Sequence, residues 1–435
     1  MGDEDGRPKK IRDFSTVINT FSSHYDDAHD DETQAREEER KKRQENAAQV
    51  SDSYYAFASA AYESNWSTHF HYAPFPPTYP PSDSTLATAM QFYEHRLAHL
   101  ADLRPGMLVL DVGCGIGGPA RAIARFTGCT VVGLTINQGQ VDRAIYLTAL
   151  EGLSHKCTFL QGDFLAMPFA DCSFDAAIAI EATCHAGSLA RVYAEINRVL
   201  RPGAMFASSE WVLTPRYDPS DGTHVCMRNR VEQGNAVVDL QTSEQARAQF
   251  LAAGFELEHE EDFATFFDHA RDPHSNRTSR GNAHHPETPS SVLVPFVSGP
   301  ACAPGPSVPL PPSPRRLPVP RTMYRPWTFP LRGRHDLATT WTDWWTCFKM
   351  SRLMRRLCYW YVYFGEKVGL VDKGVMQAMQ TLAVCVDSVA EAGEAGIFSP
   401  CWWFVGRKVG GNEEEDGEEG GEGHGLQVNT AGGDA

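Results

Sequence analysis

Asp111, Gly113, Gly115, Gly117 and Gly118 fall within eight residues of one another, directly after the apolar run Met107-Leu108-Val109-Leu110. Residues of these types suit binding. Backbone without Cβ atoms at Gly113, Gly115 and Gly117 can approach a ligand closely, and an acid ending the preceding strand suits a cation while repelling a phosphate. The spacing is G-x-G-x-G, whereas a dinucleotide pyrophosphate calls for G-x-G-x-x-G, although Gly118 blurs the difference. S-Adenosylmethionine, with an amino group and a sulfonium, fits this pattern better than a dinucleotide. On the loop alone both remain open.

Such a loop needs a strand before it and a helix after it. The apolar run and the amphipathic stretch carrying Ile123 and Phe126 supply them, as the first βα unit of a nucleotide-type α/β domain. The alternation continues with strands at 130–135, ending at 159–160, and at 174–181, 204–212 and 255–262. Helices are expected at 137–151, 188–200 and 241–253. Strand–helix units in series imply a parallel sheet with right-handed crossovers. Ligands of such sheets bind at the carboxyl edge, where Asp163 with Phe164 and Glu181 with His185 follow the third and fourth strands.

The flanks differ in character. Residues 1–50 form a polar arm, nearly all charged from Asp31 to Asn46, which suits a solvated helix with (i, i+4) pairs. Residues 51–100 begin with a crowd of aromatics that includes Tyr54, Tyr55, Phe57, Tyr62, Trp66, Phe70, Tyr72 and Phe75, with Glu63, His69 and His71 among them. Two readings stand: a lid with an aromatic wall for a large apolar ligand, or a helix packed on the main domain. The core spans 101–267. A Pro-rich stretch, 268–325, lacks the periodicity to pack and reads as a disordered insertion or linker. Residues 326–408 form a second aromatic lobe. Its stretch from Trp341 to Phe364, interrupted by Lys349, Arg352, Arg355 and Arg356, could lie on a membrane, cover a ligand pocket or be core. Acidic residues 409–435 read as a tail.

The 435 residues carry a net charge of −16, of which the tail holds seven acids between Glu413 and Glu422. No basic stripe for nucleic acid is seen. Eleven cysteines without a C-x-x-C pair suit reduced thiols in a cytosolic setting. No His/Cys spacing fits a tetrahedral metal site. No apolar run approaches the roughly 20 residues that span a bilayer, and the acidic start is unlike a signal peptide.

Several strings together resemble the sterol 24-C-methyltransferases: Asp111 to Arg121 (DVGCGIGGPAR), Gly162-Asp163-Phe164, Ile180 to Ala186 (IEATCHA), Glu210-Trp211-Val212, Tyr217-Asp218, Gly254-Phe255-Glu256 and Phe398-Ser399-Pro400. The resemblance covers roughly 35–267 and 326–408. It departs at Tyr62-Glu63-Ser64-Asn65-Trp66-Ser67, where the family has Tyr-Glu-aromatic-Gly-Trp-Gly, and at Glu232 to Val238. The resemblance implies a Rossmann-like class I methyltransferase. Its seven-stranded, mostly parallel sheet would have an antiparallel last strand, here 402–408, between the fifth and sixth. It also implies S-adenosylmethionine as cofactor, a Δ24 sterol as substrate, a homo-oligomer, and peripheral attachment to the cytoplasmic side of the endoplasmic reticulum or to lipid droplets. Another lipid or small-molecule methyltransferase, or a cofactor-binding homologue with impaired catalysis, is the alternative.

The resemblance also implies roles. Asp111 would face the cofactor's amino group and Gly113, Gly115 and Gly117 its methionine part. Thr135, Asn137 and Gln140 would serve the ribose, and Asp163 and Phe164 the adenine. Methylating an alkene leaves a carbocation that must be shielded and then lose a proton. Tyr62, Trp66, Phe70, Tyr72 and Trp211 are the candidates for shielding, with Glu232 also assigned to the substrate. Glu63, His71, Glu181, His185 and Glu210 are the candidates for acid–base work.

Overall fold

The computed structural model describes residues 14–25, 33–77, 83–268 and 325–410. Nearly all of the Pro-rich segment and of the acidic tail lies outside the described residues. Seven strands form one sheet: β1 (Leu108–Val112), β2 (Thr130–Thr135), β3 (Cys157–Gln161), β4 (Phe174–Ile180), β5 (Leu200–Leu213), β6 (Phe255–Asp262) and β7 (Phe398–Lys408). Their order is β3-β2-β1-β4-β5-β7-β6. Six strands run one way, and β7 pairs antiparallel with both β5 and β6. The reversed strand is therefore where it was expected, but it starts four residues earlier, at Phe398. β4 is buried along its whole length except at Asp175, as a central strand covered on both faces must be.

Helices α1 (Phe14–Ser22), α2 (Thr33–Glu45), α3 (Ala47–Asn65) and α4 (Leu86–Leu100) precede the sheet. Within it lie α5 (Gly118–Thr127), α6 (Gln138–Leu150), α7 (Leu189–Val199), α8 (Gly222–Asn235) and α9 (Ser243–Ala252). An excursion between β6 and β7 carries α10 (Trp341–Met350), α11 (Arg352–Val368) and α12 (Val375–Ala395). Thr85 and Thr88 cap α4 reciprocally, and its Ala89, Met90, Tyr93 and Leu97 face the core. The strand order turns at β1 and β4, with β2 on one side and β5 on the other, so a ligand crevice opens at their carboxyl ends.

Two expectations change. The charged arm is not simply solvated: Arg40 and Arg43 of α2 reach the buried Glu232 at 3.2 and 4.0 Å, and Gln44 donates to Asp239 at 2.9 Å. The aromatic segment divides between the two faces of α3. Tyr54 and Phe57 pack against Ile18 and Phe21 of α1, whereas Tyr55 and Tyr62 turn toward open cavities. Unforeseen is α8, whose sequence THVCMRNRVEQGN has no apolar stripe. It is held by α12, so closely that a Cβ on Gly234 would lie 2.8 Å from Cys385 backbone.

Candidate functional site

Two cavities adjoin at the carboxyl edge of the sheet. The first lies over the loop joining β1 to α5. Asp111, at the end of β1, is 2% exposed, and its Oδ2 has no hydrogen-bond partner. Burial, aided by the charge of Glu94, pushes its carboxyl up to about 7. Gly113 turns with φ +76, and a Cβ there would strike that of Ala182 at 2.3 Å. Gly115 lines the cavity opposite Phe70, which would stand 3.5 Å from an added Cβ. Thr135 donates to Gln140 Oε1 at 2.7 Å, and both line the cavity with Asp163 and Phe164.

Two expected cofactor residues stand back from this cavity. Gly117 lies behind its wall, where a Cβ would meet the Phe159 ring at 2.6 Å; its glycine serves packing and the start of α5. Asn137 caps α6 and donates to Asp52 at 2.7 Å. The roof was missed: Ala47, Ala48, Ser51 and Tyr55 of α3 close the cavity from above. The small Ala47, Ala48 and Ser51, close together on one helical face, are the signal that sequence offered.

Tyr55, Phe70, His71, Glu181 and His185 line both cavities. Glu181 sits in the left-handed region (φ +52), a strained backbone for glutamate. Its Oε1 accepts from the Tyr72 amide and its Oε2 from Trp211 Nε1, each at 2.8 Å. Burial nonetheless lifts the carboxyl to about 8. His71 Nδ1 meets the Tyr72 carbonyl and Nε2 meets Glu94, both at 2.9 Å. His69 Nδ1 reaches the same Glu94 oxygen at 2.5 Å. Burial would raise Glu94, but the two imidazoles hold it down at about 2. Among the described residues this trio alone groups metal-ligating side chains within 4.8 Å. His185 is bonded to Tyr55 and to the Ala236 carbonyl, and burial lowers its pKa.

The second cavity, about 640 Å³ and largely apolar, opens beneath α11 and α12. Tyr62, Trp66, Tyr72 and Trp211 form its inner wall, with ring centroids 5.6 Å apart for Trp66–Tyr72 and 6.0 Å for Tyr72–Trp211. Met350, Arg355, Tyr359, Leu382 and Cys385 close the other side, a contribution that no local motif announces.

Three expected site residues are elsewhere. Glu63 follows Tyr62 on α3 but turns away from the cavity to α6, where Arg143 Nε lies 3.1 and 3.0 Å from its two oxygens. Glu210 and Trp211 are consecutive on a strand, so they face opposite sides of the sheet. Glu210 is fully buried, with Tyr193 (2.8 Å), Thr183 and Ser208 donating to Oε1, and it lines neither cavity. Glu232 is enclosed by Arg40, Arg43 and Arg228 and accepts from the Leu240 amide.

A sheet of this order, with a glycine turn and a buried aspartate beneath a cavity at its carboxyl edge, defines a class I, S-adenosylmethionine-dependent methyltransferase. The family described as "Methyltransferase domain" matches residues 110–208, and "Sterol methyltransferase C-terminal" matches 345–408. Among solved structures the [4+2]-cyclase SpnF is similar in fold, with a TM-score of 0.51 and 19% identity, covering 84% of this chain and 97% of that one. The sterol 24-C-methyltransferase of Aspergillus fumigatus is 34% identical over 90% of this chain and 88% of its own. That of Gibberella zeae is 36% identical over 87% and 85%. The chain belongs to the sterol 24-C-methyltransferase family.

Proposed function

We propose that the protein methylates C24 of a Δ24 sterol side chain in sterol biosynthesis. The observation that carries this reading is the shared wall: the cavity over the glycine loop meets a larger apolar one at Tyr55, Phe70, His71, Glu181 and His185. Bound S-adenosylmethionine supplies an electrophilic methyl group. Asp111, whose Oδ2 lacks a partner, takes the cofactor's amino group, while Gly113 and Gly115 admit its backbone-hugging tail. Thr135 and Gln140 serve the ribose, and Asp163 and Phe164 the adenine. An alkene needs no activation by a base, so alignment of the two reactants across the junction is the main contribution. Tyr62, Trp66, Phe70, Tyr72 and Trp211 offer ring faces to the positive charge left on the side chain, each worth about 2 kcal/mol when desolvated. Glu181, whose carboxyl burial raises to about 8, lines the same junction and would stabilise that charge on ionising.

Incubation with methyl-labelled cofactor and either zymosterol or cycloartenol tests the proposal. Label in a sterol product is expected; cofactor binding without sterol labelling would overturn it.

The setting belongs to the same reading. Among the described residues no helix is long and apolar enough to cross a membrane. Leu353, Leu357, Trp360, Tyr361 and Phe364 are nevertheless exposed on α11, beside Arg352, Arg355 and Arg356 at the rim of the sterol cavity. This supports peripheral contact with the endoplasmic reticulum or a lipid droplet, where such a substrate dissolves. Flotation with anionic vesicles should be lost in W360S/F364S. A homo-oligomer, expected from the family, is tested by light scattering.

A further inference from the structure

The hydroxyl of Tyr55 lies 2.9 Å from His185 Nε2, and both side chains line both cavities. His185 Nδ1 lies 3.1 Å from the Ala236 carbonyl. A carbonyl only accepts, so Nδ1 carries the ring hydrogen and Nε2 presents a lone pair. Tyr55 therefore donates to His185, and its oxygen keeps lone pairs of its own at the place where the two cavities meet. Ala236 ends α8 in the left-handed region (φ +55), which fixes the carbonyl that sets this tautomer.

We propose that Tyr55 and His185 are the proton-accepting relay of the reaction, with Tyr55 taking a proton from the newly transferred methyl group as it passes its own to His185 Nε2. The proposal rests on the sterol-methylating reading above. Once a hydride has moved from C24 to C25, the positive charge sits on C24, next to the new methyl carbon. A C–H bond of that carbon breaks and its electron pair closes a double bond to C24. The proton ends on His185 as an imidazolium, and Tyr55 is neutral before and after. The relay's position at the junction favours the methyl carbon over more distant ones.

The other candidates at the junction are less suited. Both nitrogens of His71 face acceptors, so it offers no lone pair. Both oxygens of Glu181 already receive an N–H, and burial, which lifts its carboxyl to about 8, keeps it largely protonated at neutral pH. Burial raises the pKa of Tyr55 and lowers that of His185, which keeps the pair neutral, and hence receptive, at rest.

A cofactor bearing a trideuterated methyl group provides the test. The wild-type product should keep two deuteriums, the third having left with the proton. Y55F removes only the hydroxyl. It should bind cofactor within about twofold of wild type and transfer the methyl group in a first turnover within about tenfold. Its product should shift to species that keep all three deuteriums, formed by water capture or by proton loss from another carbon. H185Q should give the same shift, and E181Q should slow methyl transfer without it. A Y55F enzyme yielding the wild-type product at the wild-type rate overturns the relay while sterol methylation stands. So does a Y55F enzyme that binds cofactor but transfers no methyl group, because the relay acts after that step. A wild-type enzyme that methylates no Δ24 sterol overturns the underlying reading itself.

Discussion

Replacing Asp111 by asparagine should weaken the cofactor and strengthen the empty protein. Burial, with the charge of Glu94 adding to it, raises the carboxyl from 3.8 to about 7. Between those values the folded protein holds a proton that the unfolded chain has released. Stability therefore falls as pH rises through the window and levels off above it. The full cost, reached above about pH 7, is roughly 4 kcal/mol. An asparagine escapes it but buries an amide without a partner, which returns about 1–3 kcal/mol. The cofactor-free variant should then melt a few degrees higher above pH 7, at roughly 2–4 °C per kcal/mol. Binding moves the other way. Loss of a charge-assisted hydrogen bond costs about 1.5–3 kcal/mol, or roughly 10- to 100-fold in Kd. In the wild type only the ionised carboxylate attracts the amino group, so affinity at about pH 6 should be roughly tenfold below that at pH 8. Titration calorimetry with S-adenosylmethionine at several pH values, beside melting curves without it, reads both effects. Unchanged affinity in D111N, or a wild-type affinity flat across this range, would refute the reasoning.

Other substitutions separate the residues that face the cavities from those that do not. E181Q should leave cofactor affinity within about twofold and lower kcat by two orders of magnitude or so; normal turnover would remove Glu181 from the reaction. G113A, which forces a Cβ to within 2.3 Å of the Ala182 side chain at φ +76, should abolish measurable cofactor binding in calorimetry. E63Q should keep sterol turnover within about twofold and cost up to about 1 kcal/mol of stability through Arg143. A large fall in kcat would return Glu63 to the site. E232Q leaves three arginines around a neutral side chain and should destabilise the protein by about 3 kcal/mol in denaturant melts.

The sheet was legible because its strands are either almost wholly apolar, as in FDAAIAI with its single Asp175, or punctuated by glycine turns, and both signals are local. The cofactor loop was legible for the same reason. Side-chain direction was not. Tyr62 and Glu63 are neighbours in sequence but lie about 100° apart around α3, and Glu210 shares a string with Trp211 while facing the opposite layer. Glu232 looked like a substrate carboxylate until three arginines, one of them 192 residues away, were brought around it. Tyr55 was hidden among eight aromatics, and only the position of His185, 130 residues on, singles it out. Long-range partners decide these cases, and spacing along the chain does not record them.

The helix that roofs the cofactor cavity is fastened to the core at several points, Asp52 to Asn137, Ser59 to Gln140 and Glu63 to Arg143, while the arginines of the preceding α2 hold Glu232. A nucleoside beneath it would have this tethered helix as its roof. Opening this roof would require several polar contacts to part together, so release by that route would make unfastening, more than bond-making, the clock of turnover. Salt, which loosens the more exposed of these pairs, should then shorten the bound lifetime of the spent cofactor.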